Sequence, residues 1–279
     1  MLRPLLLASL SSALLSGAPA RRARVAGGVV PRATPCLECD PWQELATPAK
    51  YAELVRWYEA HARQSEIPED LGRWGVTYRE YVDEFVAAVA GELPIAPRDA
   101  VFESAVGAGW LLRGLAELLP REVGRTVEWC GNDIIPAALD AARAGLLRGE
   151  GGVAPTLCVG DSANLTGWVP RARFDATLCG YLEALPLYGR EPHLASEEAW
   201  RGHWCAEMAA ITRPGGHVFV GNIAPLGLED EAAWWRDAAE SDAFGWGVDP
   251  ASVRVRPQRS ARLTAEWGAR YHVHMTRRR

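Results

Sequence analysis

The sequence predicts an α/β domain: a seven-stranded, mostly parallel sheet with helices on both faces, an antiparallel last strand, and an N-terminal helical lid. Three observations predict it. After Pro94, short apolar runs of strand length alternate with amphipathic helical stretches, the pattern of βαβ units. Five of those runs end on polar or glycine residues, at the side of an open sheet where ligands bind. The last two runs, Ser252–Val255 and Tyr271–Thr276, alternate polar and apolar residues, as an antiparallel pair at a sheet's end does.

The elements follow in order. MLRPLLLASLSSALLSGAPA carries one positive charge, a short apolar run from Leu5 to Leu15, and small residues ending in Ala18-Pro19-Ala20. That is the layout of a secretory signal, with an apolar run too short to span a bilayer. RRARVAGGVVPRATP follows, rich in arginine and without an acid, as in a transit segment. Residues 1–35 are therefore expected to be a presequence, directing the chain to the secretory pathway or a plastid, with no stable membrane association of the mature chain. Residues 36–95 are expected to form the lid. YAELVRWYEAHAR (51–63) and VTYREYVDEFVAAVA (76–90) have helical apolar spacing, and Trp57, Tyr58, Trp74, Tyr78 and Tyr81 either line a site there or fill a core. The α/β domain is expected over 96–279, with strands at Ala100–Ser104, Val127–Asn132, Thr156–Gly160, Phe174–Gly180 and His217–Asn222. Helices are expected at Leu111–Leu119, Pro136–Leu147 and Glu197–Ile211, and no clear helix separates the closing strand pair.

Composition excludes several classes. The chain has 279 residues, 48% of them hydrophobic and 23% charged, an ordinary globular balance. Lys50 is the sole lysine among 30 basic residues, and the formal net charge is −5. Residues 1–35 hold five arginines and no acid, so their removal takes the charge to −10. An acidic body does not attract nucleic acid non-specifically. Arg277, Arg278 and Arg279 read as a solvated tail. Cys36 and Cys39 have CxxC spacing without a second pair to complete a metal site, and Cys130, Cys158, Cys179 and Cys205 read as small core residues. His272 and His274 share a strand face with no third ligand, so no metal is expected.

The chemistry concentrates at the strand ends. VFESAVGAG ends strand one with Glu103 and a loop holding Gly107 and Gly109; VEWCGND ends at Asp133; TLCVGD ends at Asp161-Ser162; FDATLCGY ends at Gly180-Tyr181. Glycines alone would make a tight turn, but a bare loop at a helix start also lets a ligand lie on backbone N–H groups. With acids in register at the next two strand ends, the ligand reading gains ground.

These stretches resemble the class I S-adenosylmethionine-dependent methyltransferase family, whose core is Rossmann-like. VFESAVGAG resembles its glycine motif, WCGNDIIPAALDAAR its strand-two segment, VGDSANL the motif after strand three, FDATLCGYLEAL the fourth motif, and ITRPGGHVFVGNI the turn before strand five. The resemblance implies S-adenosyl-L-methionine as cofactor. Gly107 and Gly109 would pass beneath its methionine part, with Glu103 polarising that end. Asp133 would accept from both ribose hydroxyls, and Asp161 with the Ser162 backbone would read the adenine amino group. Ala105, Ile134 and Cys179 flank these positions and complete the implied set. Ala105 replaces the first glycine of the motif, which is tolerated if its φ stays negative. Ile135 stands where the family often has a serine cap.

Methyl transfer from a sulfonium asks mainly for alignment and desolvation, and for a base only when the nucleophile arrives protonated. Tyr181 and Glu183, just after strand four, are the candidate catalytic positions, together with His203. A solvated carboxylate and a packing histidine are the plainer readings of Glu183 and His203. His193 and His203 flank a segment that could cover the pocket, and Trp234-Trp235 could reach the substrate side. The acceptor is expected to be a small molecule. Two rivals stay open: an NAD(P)-dependent oxidoreductase, although no G-x-G-x-x-G or Tyr-x-x-x-Lys pattern is present, and a catalytically inactive cofactor-binding protein.

Overall fold

The computed structural model describes residues 78–148, 154–180, 196–223 and 231–279. The presequence region, the helix expected at 51–63, and Tyr181, Glu183 and His193 lie outside the described residues. The described elements, in chain order, are α1 (Tyr78–Glu92), β1 (Ala100–Ser104), α2 (Trp110–Leu118), α3 (Arg121–Gly124), β2 (Glu128–Asp133), α4 (Pro136–Arg148), β3 (Thr156–Val159), β4 (Phe174–Cys179), α5 (Glu197–Ile211), β5 (Thr212–Ile223), α6 (Glu231–Ser241), β6 (Arg254–Pro257), α7 (Ala261–Trp267) and β7 (Tyr271–Thr276). A 3₁₀ turn, Ser162–Gly167, follows β3.

The strands form a seven-stranded sheet in the order β3-β2-β1-β4-β5-β7-β6. β1 through β5 pair in parallel, and β7 runs antiparallel between β5 and β6. Both faces are covered, which is why the central strands are apolar throughout rather than alternating. β1 is buried at all five positions. Cores lie on the two faces. On one, Phe102, Cys130, Phe174 and Val218 pack with Trp204 and Met208 of α5 and Trp235 of α6. On the other, Val101, Trp129, Leu178 and Phe219 pack with Phe85 of α1, Leu112 of α2, Leu139 of α4 and Leu263 of α7.

Several expectations change here. The described part of the helix expected at 76–90 packs into the core: Phe85 and Val89 are fully buried, and Phe85 meets Phe219 edge to face at 5.4 Å. A short helix does separate the last two strands. α7 is capped by Ser260, whose side chain accepts from the Leu263 N–H. Acids of α1 hold that start in turn, because Glu84 accepts from the Ser260 N–H at 3.0 Å and Glu80 from its hydroxyl at 2.5 Å. α6 was also not expected, and its Trp235 is fully buried, stacked on Trp246 at 5.5 Å, so the Trp234-Trp235 pair serves the core. Arg277 is not a free tail: its guanidinium donates to the Ala210 and Thr212 carbonyls, and its backbone pairs with Gly215 and Gly216. Cys130 and Cys158 each take part in a disulfide, whereas Cys179 and Cys205 are free and buried.

Candidate functional site

Glu103, Asp133 and Asp161 stand at the carboxyl ends of β1, β2 and β3, three adjacent parallel strands, so the topology brings them to one rim of the sheet. Strand alternation turns Glu103 and Asp133 to the same face. Glu103 is 1% exposed, and it accepts from the Leu112 backbone N–H in the first turn of α2. Its other oxygen, Oε2, is buried with no hydrogen-bond partner among the described residues. Burial pushes its pKa well above the carboxylate range, the Leu112 N–H opposes that, and the charge on Asp133 adds to it.

Asp133 ties the rim together. Its Oδ2 accepts from the Gly107 N–H at 2.8 Å and its Oδ1 from the Ile135 N–H at 3.0 Å. The second bond satisfies the backbone N–H of Ile135, the residue just before α4. Burial raises the pKa of Asp133 while these amide bonds lower it. Each carboxylate oxygen keeps a further lone pair for a ligand donor.

The two glycines of the loop do different things. Gly107 has φ +54°, and a Cβ built there meets nothing within 4 Å, so the loop opens onto free space at that point. Gly109, at φ +77°, forms the N-cap of α2, and a Cβ there would fall 2.8 Å from the Ala142 Cβ. Its lack of a side chain lets the loop lie against α4. Ala105 has φ +58°, contrary to the negative value expected for alanine, so this non-glycine residue sits in the left-handed region.

On the third strand end, Asp161 caps the 3₁₀ turn by accepting from the Ala163 N–H at 2.8 Å, and Ser162 is buried. Ile134 is half-buried beside Asp133. Cys179 is fully buried in the core at the end of β4, one residue before Gly180, whose carbonyl accepts from the Tyr81 hydroxyl of α1. His203 lies on α5 with Nε2 2.7 Å from the Ala163 carbonyl, so the structure brings it to the turn after β3. Two residues that the sequence reading missed also belong to this rim. Asn132, fully buried, donates to the Gly160 carbonyl at 2.8 Å and the Ser162 hydroxyl at 3.0 Å. Glu207 of α5 accepts from the Thr166 N–H at 2.7 Å and its hydroxyl at 3.1 Å. Glu207 lies in no motif; Asn132 sits inside the WCGNDIIPAALDAAR segment, beside Asp133, but no role was read for it there.

No family model and no curated protein matches the chain. Solved structures do. The magnesium protoporphyrin IX methyltransferase of Synechocystis PCC 6803, solved with bound S-adenosylhomocysteine, is 15% identical, with 81% of this chain and 99% of that one covered and a TM-score of 0.51. A possible exported protein of Bordetella parapertussis is 16% identical, with 72% and 68% covered and a TM-score of 0.50. These likenesses show the fold: the chain has the Rossmann-like architecture found in class I methyltransferases.

Proposed function

We propose that this chain is an S-adenosylmethionine-dependent methyltransferase acting on a small-molecule acceptor by in-line methyl transfer. The observation that carries the reading is the placement of three carboxylates at three adjacent strand ends, with the bare Gly107 turn between the first two.

The residues present fit the cofactor. A buried carboxylate oxygen without a partner is costly, and the Glu103 Oε2 atom is what an ammonium group would satisfy. Asp133, held by Gly107 and Ile135, offers two oxygens at the spacing of a vicinal diol. Asp161 and the Ser162 backbone would read the adenine edge, and the open face of Gly107 leaves room for the sulfur-bearing arm. When bound, the cofactor supplies a methyl group already activated on a sulfonium. The protein's work is then to orient and to exclude water. Tyr81 holds the Gly180 carbonyl at the end of β4; Tyr181 and Glu183, which follow in the sequence, are the two residues we assign to the methyl acceptor. The acidic composition favours a small acceptor over nucleic acid.

Calorimetric titration of the purified chain with S-adenosylmethionine and with NAD tests the reading, followed by a metabolite screen with a tritiated methyl donor. Binding of S-adenosylmethionine alone, with turnover to S-adenosylhomocysteine, is expected; binding of NAD alone would reverse the assignment. Asp133→Ala is expected to weaken cofactor binding at least about 100-fold, equivalent to about 2.7 kcal/mol. Undiminished affinity in a folded variant would remove Asp133 from the site.

A further inference from the structure

The turn after β3 is held from behind by a helix that belongs to a different part of the chain. Glu207 and Thr166 are 41 residues apart, yet both oxygens of the Glu207 carboxylate are used on Thr166, one on its N–H and one on its hydroxyl. One helical turn earlier on α5, the His203 ring meets the Ala163 carbonyl at 2.7 Å. Trp204, beside it, donates to the Ser104 hydroxyl at the end of β1 at 3.0 Å, so the same helix is registered against the rim as well as against the turn. From the sheet side, Asn132 grips the Gly160 carbonyl and the Ser162 hydroxyl, and the Trp168 ring nitrogen donates to the Asp161 carbonyl at 3.4 Å.

The turn has little regular structure of its own to fix it. It is a 3₁₀ segment broken at Asn164, where φ is −143° and ψ 47°. Such a short turn relies on outside partners for its position. The two residues at its start, Asp161 and Ser162, are those assigned to the adenine edge, and hydrogen-bond discrimination needs placement within a few tenths of an ångström.

We propose that Glu207 and His203 of α5 are positioning residues for purine recognition, holding the 162–167 turn so that Asp161 and Ser162 meet the adenine edge. The inference rests on the cofactor reading above and deepens it. It also gives His203 a role away from the methyl acceptor: the ring acts through the turn's backbone and not on the reacting atoms. Glu207 engages both polar groups of Thr166 at once, so a shortened side chain frees the turn while leaving α5 packed through Trp204 and Met208, both buried.

The test compares S-adenosylhomocysteine with S-inosylhomocysteine, in which the exocyclic amine is replaced by a carbonyl, by titration calorimetry on the full chain. A site that hydrogen-bonds the amine is expected to prefer the adenine ligand by about 100-fold or more. In Glu207→Ala that preference should narrow at least about tenfold, because the turn no longer holds Asp161 in register. Glu207→Gln, which keeps an acceptor for the Thr166 N–H and a donor for its hydroxyl, should restore it. Overall loss of stability would weaken both ligands in parallel and leave the ratio unmoved, so a constant ratio in Glu207→Ala overturns the inference and leaves the proposed function standing. A wild-type chain that binds neither ligand overturns the proposed function, and the inference with it. Should Glu207→Ala not fold, Thr166→Val removes the hydroxyl contact alone, and the same ratio decides: narrowing supports the clamp and constancy refutes it.

Discussion

Ala105 holds a left-handed backbone, φ +58°, at the point where the chain leaves β1 and turns toward the open face of Gly107. For a residue with a Cβ that conformation costs about 1–2 kcal/mol, and glycine adopts it freely. The methyl group packs against the core on the α5 face, which offsets part of the cost. Ala105→Gly is therefore expected to raise the unfolding free energy by about 0.5–1 kcal/mol, read from the urea midpoint at constant slope. A lower midpoint would mean that the methyl contact outweighs the backbone strain. The strained φ was not legible in the sequence, because alanine has no intrinsic reason to go there; it is imposed by the hydrogen bonds around it, such as Val106 N–H to the Asn132 carbonyl at 2.8 Å. The acids were legible for the opposite reason. Glu103, Asp133 and Asp161 each end an apolar run, and a charge at that place in a buried strand has few structural uses. Glu207 and Asn132 were not, since their partners lie 41 and 30 residues away and nothing local marks either for a role.

At the scale of elements, what the sequence showed was whatever a local run can show. Ala100–Ser104, Tyr271–Thr276 and Glu197–Ile211 match their expected limits, being short apolar runs or a periodic stretch bounded by Pro, Gly, Ser or charged residues. β5 begins earlier than expected, at Thr212, because Pro214-Gly215-Gly216 reads as a turn while the structure carries it into the strand. α6 escaped notice because EAAWWRDAAES has only its two tryptophans as apolar bulk, and α7 because seven residues are too few for a period. Packing of an element is a further step that local pattern does not give. α1 precedes the first strand, a common place for a lid, yet its Phe85 packs against Phe219 of β5 and His272 of β7. The distinction is measurable. Phe85 contacts Phe219 and His272, and its truncation to alanine in a well-packed core costs about 3–5 kcal/mol. A lid residue would cost well under 1 kcal/mol, so denaturant unfolding of Phe85→Ala separates the two roles, and a small loss would return α1 to the rim.

Across the whole molecule, ionisable groups are buried at two distinct levels of the sheet, and they pull its pH dependence in opposite directions. At the ligand rim, burial raises the pKa of Glu103 and Asp133. Farther along β5 and β7, a polar chain runs from Arg256 to Glu92, on to His274 Nδ1 at 3.3 Å, and from His274 Nε2 to His217 Nδ1 at 3.1 Å. Burial raises Glu92, and the arginines near it pull it back down. His272 lies on the same strand face, with Phe85 at 5.6 Å and Phe219 at 6.0 Å, and burial pushes its pKa down to about 4; His274 is likewise lowered to about 4, by burial and then by His217 and two arginines. A raised carboxyl binds more protons folded than unfolded, so it costs stability as pH climbs above the ordinary carboxylate range. A lowered histidine binds fewer, so its cost grows as pH falls from about 6.5 toward 4. The two overlap in mild acid, and the profile of the wild-type chain alone therefore mixes them. A difference profile isolates the histidine. His272→Leu removes one titrating group from an apolar surround and leaves the carboxyls in place. Relative to its value at pH 7, the unfolding free energy of the variant is expected to gain on the wild type by about 2 kcal/mol by pH 4.5. A difference that stays flat between those two pH values would mean that His272 takes up its proton as readily inside the sheet as in the unfolded chain.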